Sequence, residues 1–429
     1  VNVDFKVHTF GCKVNTYDTG LIERRLVADG FAIASEPRIH VLNTCAVTRE
    51  ATLEAGRLAR RLKSRDPFCL VVATGCAAQV DTEELERQAA IDLIVANSHK
   101  TELTSILKRY YQGALDQKVF KSNIFKKEDV EPGGGIESKH TRSFLKIQDG
   151  CNSFCTFCVI PFARGKSRSI EIASLVRRVQ ELEESGVGEV VLTGVHIGDY
   201  EDHGLRLEDL LEALIAKTSM PRFRLSSMEP PEISERLLDL YASEKICPHF
   251  HMSIQSPQSE VLKNMKRQYD ADGVTSVLHN IKHSVPEAFV GMDIIAGFPT
   301  ETDAQFEETM QRLRDLPWSR IHVFPYSRRP GTFAARWDTL TTEKMKFRTT
   351  CMRQLSEQRL KGHALNQIGK TKKVLPLRSR VGAVQGLARD YWTVELDREP
   401  NSSAEVTVVI TGLSAFDSQN SERLVGEIQ

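Results

Sequence analysis

Three cysteines, Cys151, Cys155 and Cys158, stand in the run DGCNSFCTFC with the spacing CxxxCxxC. A structural zinc site usually takes four ligands from CxxC pairs, whereas three thiolates this close together suit a 4Fe-4S cluster with one iron left open to a small molecule. A second set is scattered. Cys12, Cys45 and Cys76 each follow a short strand-like run, so a parallel sheet would gather them on the rim formed by its strand carboxyl ends. There they could ligate a second cluster or remain as buried thiols. Cys69, inside FCLVV, reads as a small apolar side chain, and Cys247 and Cys351, without matching partners, read as structural.

Elements must bring these thiols into place. A chain of 429 residues, 41% of them hydrophobic, is long enough for two or three domains. Nine cysteines diluted through a chain without a secretory signal or a long apolar run point to a reducing cytoplasm and no membrane. Lys and Arg total 57, as do Asp and Glu, so a nucleic acid would have to be met by a local basic patch. The fold class is α/β. Strand-like runs at 3–10, 39–43 and 68–74 alternate with helical spacing over 17–26 and around Ala55, with Asn15 as a cap and Gly30 past the helix end, giving a Rossmann-like parallel domain over 1–115. Residues 116–140 lose periodicity, gather charge and include Gly133, Gly134 and Gly135, as a linker does. Over 141–365, strand-like runs at 144–148, 189–193, 222–227, 249–254, 289–296 and 320–325 alternate with helices, the pattern of a partial (β/α)6 barrel whose working loops follow the strand ends. DGCNSFCTFC is the loop after the first. Residues 366–429 read as a small all-β barrel.

CxxxCxxC after the first of six βα strands, with Phe157 before the last cysteine, resembles the radical S-adenosylmethionine superfamily over roughly 141–363. The resemblance implies that the amino and carboxylate groups of S-adenosylmethionine chelate the open iron, and that an electron from the cluster breaks the sulfonium bond to give a 5′-deoxyadenosyl radical. The family's cofactor-binding positions fall on Phe157 against the adenine, Thr193 and Gly194 after the second strand, Glu229 after the third, Gln255 after the fourth, and Gly297 and Phe298 after the fifth. Arg267, in NMKRQY, is the expected partner of the methionine carboxylate. Pro257 stands where the family usually has glycine, fixing the backbone and removing an amide donor beside Gln255.

TFGCKVNTYDTG, LNTCAVTREA and TGCAAQ, with KIQDGCNSFCTFCVIPFARG, LTGVHIGDY and RLSSMEP, closely resemble the radical methylthiotransferases, and the closing β-barrel resembles their TRAM domain. GCKVN with CAVT is similar to the branch acting on N6-threonylcarbamoyladenosine beside the tRNA anticodon. This implies that Cys12, Cys45 and Cys76 hold an auxiliary 4Fe-4S cluster carrying a sulfur that is methylated by one S-adenosylmethionine. A second molecule is cleaved at the other cluster, and the methylthio group passes to adenine C2. The implied partners are a tRNA anticodon stem-loop, an electron-donor protein and a sulfur donor. The same chemistry on isopentenyladenosine or on a ribosomal-protein aspartate is the alternative within enzymes. An iron-sulfur electron carrier or an RNA-binding metal protein is the alternative outside them, and it leaves the six βα units unexplained. RNA contact is expected at Lys370, Lys372, Lys373, Arg378, Arg380 and Arg389, with Tyr391 and Trp392 as stacking surfaces. Arg164, Arg328 and Arg329 are the candidates to meet the threonylcarbamoyl carboxylate.

Overall fold

The computed structural model describes residues 3–131, 133–134, 141–377, 384–400, 402–414 and 423–429. The first sheet is parallel, in the order β2-β1-β3-β4-β5-β6, from β1 (Asp4–Thr9), β2 (Ala32–Ile33), β3 (Ile39–Thr44), β4 (Leu70–Gly75), β5 (Leu93–Ala96) and β6 (Val119–Phe120). Its central strands, IHVLNT, LVVATG and LIVA, are buried at every position. Such continuous burial is expected where helices cover both faces of a sheet. The covering helices are α1 (Lys13–Ala28), α2 (Arg49–Arg65), α3 (Cys76–Val80), α4 (Thr82–Glu86) and α5 (Leu103–Tyr111). Two expectations shift. The run predicted from residue 68 starts at Leu70, with Phe68 almost fully exposed in the preceding turn. Helix α1 starts at Lys13 with Cys12 as its cap, and Asn15 lies inside the helix, fully buried.

The central unit holds six parallel βα strands in sequential order: β7 (Arg142–Lys146), β10 (Glu189–Thr193), β11 (Phe223–Leu225) continued by β12 (Ser227–Met228), β13 (His249–Gln255), β14 (Phe289–Ala296) and β15 (Arg320–Pro325). A break at Ser226 divides the barrel wall into two hydrogen-bonded sheets. Between β7 and β10, the two-residue strands β8 (Gln148–Asp149) and β9 (Arg168–Ser169) pair antiparallel and pinch the cysteine loop and α6 (Ile160–Arg164). Helices α7 (Ile172–Glu184), α8 (Leu207–Lys217), α9 (Glu235–Leu240), α10 (Ser259–Asn264), α11 (Ala271–Ser284), α12 (Asp303–Asp315) and α13 (Thr342–Leu365) surround the strands, and alternate strand residues such as Leu192, Leu225, Met252 and Ile294 pack outward against them. Tyr17 and Leu21 of α1 join this core, so α1 belongs to both units.

A closed barrel of β16 (Thr371–Leu377), β17 (Gln385–Ala388), β18 (Thr393–Leu396), β20 (Leu424–Ile428) and β19 (Val406–Leu413), in that order, ends the chain. It plugs the amino-end base of the larger barrel. Arg222 and Arg224, fully buried, donate to the carbonyls of Leu387 (3.1 Å) and Arg389 (2.9 Å) while pairing with Glu189. This docking takes Lys372, Arg389, Tyr391 and Trp392 out of the expected basic RNA face. Arg389 pairs with Glu405, Lys372 is buried against Asp390, Lys370 meets Glu287 and Lys373 meets Glu244. Tyr391 stacks on His249 and Trp392 meets Phe289 edge-on, so neither ring is a free stacking surface. Arg378 and Arg380 lie outside the described residues.

Candidate active site

Cys12, Cys45 and Cys76 follow β1, β3 and β4 at their carboxyl ends, and the parallel order of those strands gathers them. A Cβ added to Gly11 would stand 2.5 Å from the Cys45 sulfur, and Cys76 lies within electrostatic reach of both other thiols. None of the three is in a disulfide. Burial pushes the Cys45 thiol up to about 12. Burial raises Cys12 too, against the pull of Arg164 and of the Asn15 and Val14 amides at the start of α1. Cys12 nevertheless has open surface. Asn97 Nδ2 donates to the Cys76 sulfur at 3.7 Å. Three converging thiols with a nearby guanidinium and amide donors fit the charge and hydrogen-bonding needs of a thiolate-held cluster.

Cys151, Cys155 and Cys158 lie on the loop after β8, each within the others' electrostatic reach. Their sulfurs are supplied with donors: the Ser153 amide to Cys151 (3.4 Å), Arg267 Nη1 to Cys155 (3.5 Å) and the Ile160 amide to Cys158 (3.5 Å). Burial drives Cys158 up to about 12 and raises Cys155. Burial opposes ionisation of Cys151 as well, but His196 and Ser153 outweigh it and bring that thiol below its ordinary value. This triad fits a cluster on the same grounds.

The surrounding residues divide into those near the cysteines and those committed elsewhere. Phe157 lies under the Arg267 guanidinium, 5.8 Å from its ring centre. Thr193 ends β10, almost fully buried, and at Gly194 a side chain would meet Gln148 Oε1, which accepts the Val195 and His196 amides. Gln255 holds a left-handed φ of 61° at an irregularity in the β13 register, just before Pro257. Arg267, expected to fork a carboxylate, instead pairs with Glu229, a residue also expected to touch the cofactor, and donates to Cys155 and to the Ser253 carbonyl. Phe298, expected at the adenine, is fully buried between Phe157, Tyr326 and Trp337, and the space beside Gly297 is filled by Met345. Phe298 therefore supports Phe157 edge-on.

The arginine candidates are corrected as well. Arg164 is buried and bonds Asp149, Asn15 and Asp18, while Lys146 and Lys100 also pair with Asp18. This closed network welds α1 to β7. Arg329 is buried against Asp81, and Arg328 donates to the Ala335 and Trp337 carbonyls. The sequence reading missed His196, whose Nδ1 faces Cys151 and Asp199 and whose Nε2 bonds Glu232. Its signal was the polar run after β10 in LTGVHIGDY.

Six parallel βα units with a CxxxCxxC loop after the first define a radical S-adenosylmethionine enzyme, which uses a 4Fe-4S cluster and S-adenosylmethionine. The Radical SAM superfamily model matches residues 145–313, and the model described as Uncharacterized protein family UPF0004 matches 4–96. A radical S-adenosylmethionine methyltransferase, TsrM, from Kitasatospora setae shares the fold, with a TM-score of 0.59 at 13% identity over 78% of this chain and 77% of that one. Threonylcarbamoyladenosine tRNA methylthiotransferase MtaB of Aquifex aeolicus is 39% identical over 82% of this chain and 87% of its own length, and MtaB of Bacillus subtilis is 32% identical over 86% and 84%. The chain belongs to the radical S-adenosylmethionine methylthiotransferase family, in its threonylcarbamoyladenosine branch.

Proposed function

We propose that this enzyme adds a methylthio group to C2 of N6-threonylcarbamoyladenosine beside the tRNA anticodon, and that both cysteine triads serve that reaction. The relatives at 39% and 32% identity support the substrate. The observation that carries the division of labour is the second triad, Cys12, Cys45 and Cys76, locked to the first unit of the barrel by the Asp18–Lys146–Arg164–Asp149 network. With 4Fe-4S clusters at both triads and two molecules of S-adenosylmethionine per turnover, the clusters supply the hydrogen-abstracting radical and the methylated sulfur. The chain's own residues set the stage. Arg267 and His196 steady the thiols of one triad, Phe157 offers an aromatic face beside it, and Arg164 places a buried positive charge near Cys12 and Cys76. An electron-donor protein and a sulfur donor complete the reaction from outside.

Nucleosides from tRNA of cells with and without the gene, resolved by mass, test the substrate. Loss of 2-methylthio-N6-threonylcarbamoyladenosine on deletion is expected, and an unchanged level of that nucleoside sinks the reading. Iron per chain should fall by about half when Cys12, Cys45 and Cys76 are replaced by alanine. Full iron in that variant would remove the second cluster from the proposal.

A further inference from the structure

The interior of the large barrel contains more cations than its two acids, Glu189 and Asp293, hold in direct pairs. Strand alternation turns Arg224, His249, His251, Asp293, Arg320 and His322 away from the outer core, whose members are their neighbours Phe223, Phe250, Met252, Met292, Ile321 and Val323. At the amino end, His249, His251, Gly291, Arg320, His322 and Tyr391 line a cavity of about 100 Å³. Three of the arginines there, Arg142, Arg222 and Arg224, converge on Glu189, and His251 Nε2 bonds Asp293 Oδ1 at 2.9 Å.

Two cations remain. Arg320 has no hydrogen bond or ion pair among the described residues, and neither has Lys13. Lys13 follows Cys12 directly, and its side chain reaches from the start of α1 into the barrel, where its electrostatic neighbours are Tyr391, Arg142, Arg224 and Asp293. Burial is the main force acting against the charge of Arg320. The field of these cations also bears on His322, which burial, His251, Arg320 and Lys13 together hold neutral. His249 Nδ1 is buried with no partner. The side chains of Lys13 and Arg320 are both partly buried, and Asp293, the acid near Lys13, is already bonded to His251, so an anion brought in by a ligand would complete the pairing.

We propose that the lumen between Lys13, Arg320 and His322 receives the free carboxylate of the threonylcarbamoyl group, and so selects adenosines carrying it. The inference rests on the threonylcarbamoyladenosine reading and deepens it, since that group is an amino-acid carboxylate on a short polar arm. It also replaces Arg164 and Arg329, whose guanidiniums are already committed to aspartates. Because Lys13 is adjacent to Cys12, a carboxylate held there orients the base next to the amino-terminal triad.

Binding of synthetic anticodon stem-loops to the purified full-length protein tests this without turnover. The native protein should prefer a loop with threonylcarbamoyladenosine over the unmodified loop by about tenfold or more, the scale of a charge-assisted contact. A loop whose carboxylate is converted to the neutral amide should bind like the unmodified one. Lys13→Met and Arg320→Met should each cut the preference to about threefold or less while leaving affinity for the unmodified loop, iron content and melting temperature unchanged. Arg320→Lys should keep part of it. A preference fully retained in both methionine variants overturns the site while the substrate reading stands. Equal binding of acid and amide overturns carboxylate recognition, and no preference in the native protein counts against the site and the substrate reading together.

Discussion

Gly75 shows how tightly single residues hold the amino-terminal triad. Its φ is +91°, and an added Cβ would lie 2.4 Å from the Thr44 carbonyl oxygen, against backbone that cannot swing aside. Gly75→Ala therefore costs at least ~2 kcal/mol, because the left-handed conformation is strained for any L side chain and the clash adds to it. Relief requires moving Cys76. If the proposed second cluster sits at this triad, the expected result is a lower melting temperature with its iron lost, measured in a background where Cys151, Cys155 and Cys158 are alanine; unchanged iron there would show that Cys76 does not depend on this turn. At this scale the cysteine spacing was legible, because CxxxCxxC constrains the chemistry before any fold is known. His196 was not. Asp199 is three residues away on the same loop, but Cys151 and Glu232 come from two other loops, and only the fold makes them neighbours.

Helix α1 joins the domain that holds Cys12, Cys45 and Cys76 to the barrel that holds Cys151, Cys155 and Cys158. The parallel strands were readable because their runs are mostly apolar, whereas the helix start was misread because Asn15 has the chemistry of a cap. In the structure Asn15 donates to the Phe10 and Thr44 carbonyls and accepts from Arg164, and Cys12 takes the capping position. Asp18 lies one turn further on, and despite burial its carboxyl is held well below the usual range by Lys100, Lys146 and Arg164. Removing one member leaves buried charge uncompensated. Arg164→Met should destabilise the protein by about 3–5 kcal/mol, read by chemical denaturation. A loss below about 1 kcal/mol would mean that the network is slack and that α1 is held by Tyr17 and Leu21 alone.

Over the whole molecule, the carboxy-terminal barrel serves as a plug as well as an appendage. Its cations were read as an RNA face because no acid interrupts them in sequence, but Asp390 and Glu405 of the same barrel, and Glu244 and Glu287 from far away along the chain, come to pair with them. Glu405→Gln, which leaves Arg222 and Arg389 short of a partner, should destabilise by about 2 kcal/mol. Replacing Lys370 and Lys373, which are half-exposed and paired at 3.4 Å, should change stability by less than about 1 kcal/mol. The reverse order would show that the docking is governed by the outer pairs.

The charged interior also sets the response to acid. Burial, reinforced by His251 and Arg320, lowers His322 from 6.5 to about 4, and burial with His40 lowers His8 to about 4. Between those values the unfolded chain binds protons that the native protein refuses, so this part of the stability is complete above pH 6.5 and declines as pH falls toward 4. His322 alone contributes a slope of up to about 1.4 kcal/mol per pH unit, and His8, more open to solvent, contributes less. Asp18 and Glu189, both held low by buried cations, extend the loss below pH 4. Denaturation midpoints measured from pH 7 to 4 should fall throughout, and His322→Phe, which cannot take up a proton, should flatten the curve between 6.5 and 4. An unchanged slope in that variant would mean that His322 is already protonated in the native barrel, beside an anion that neutralises it.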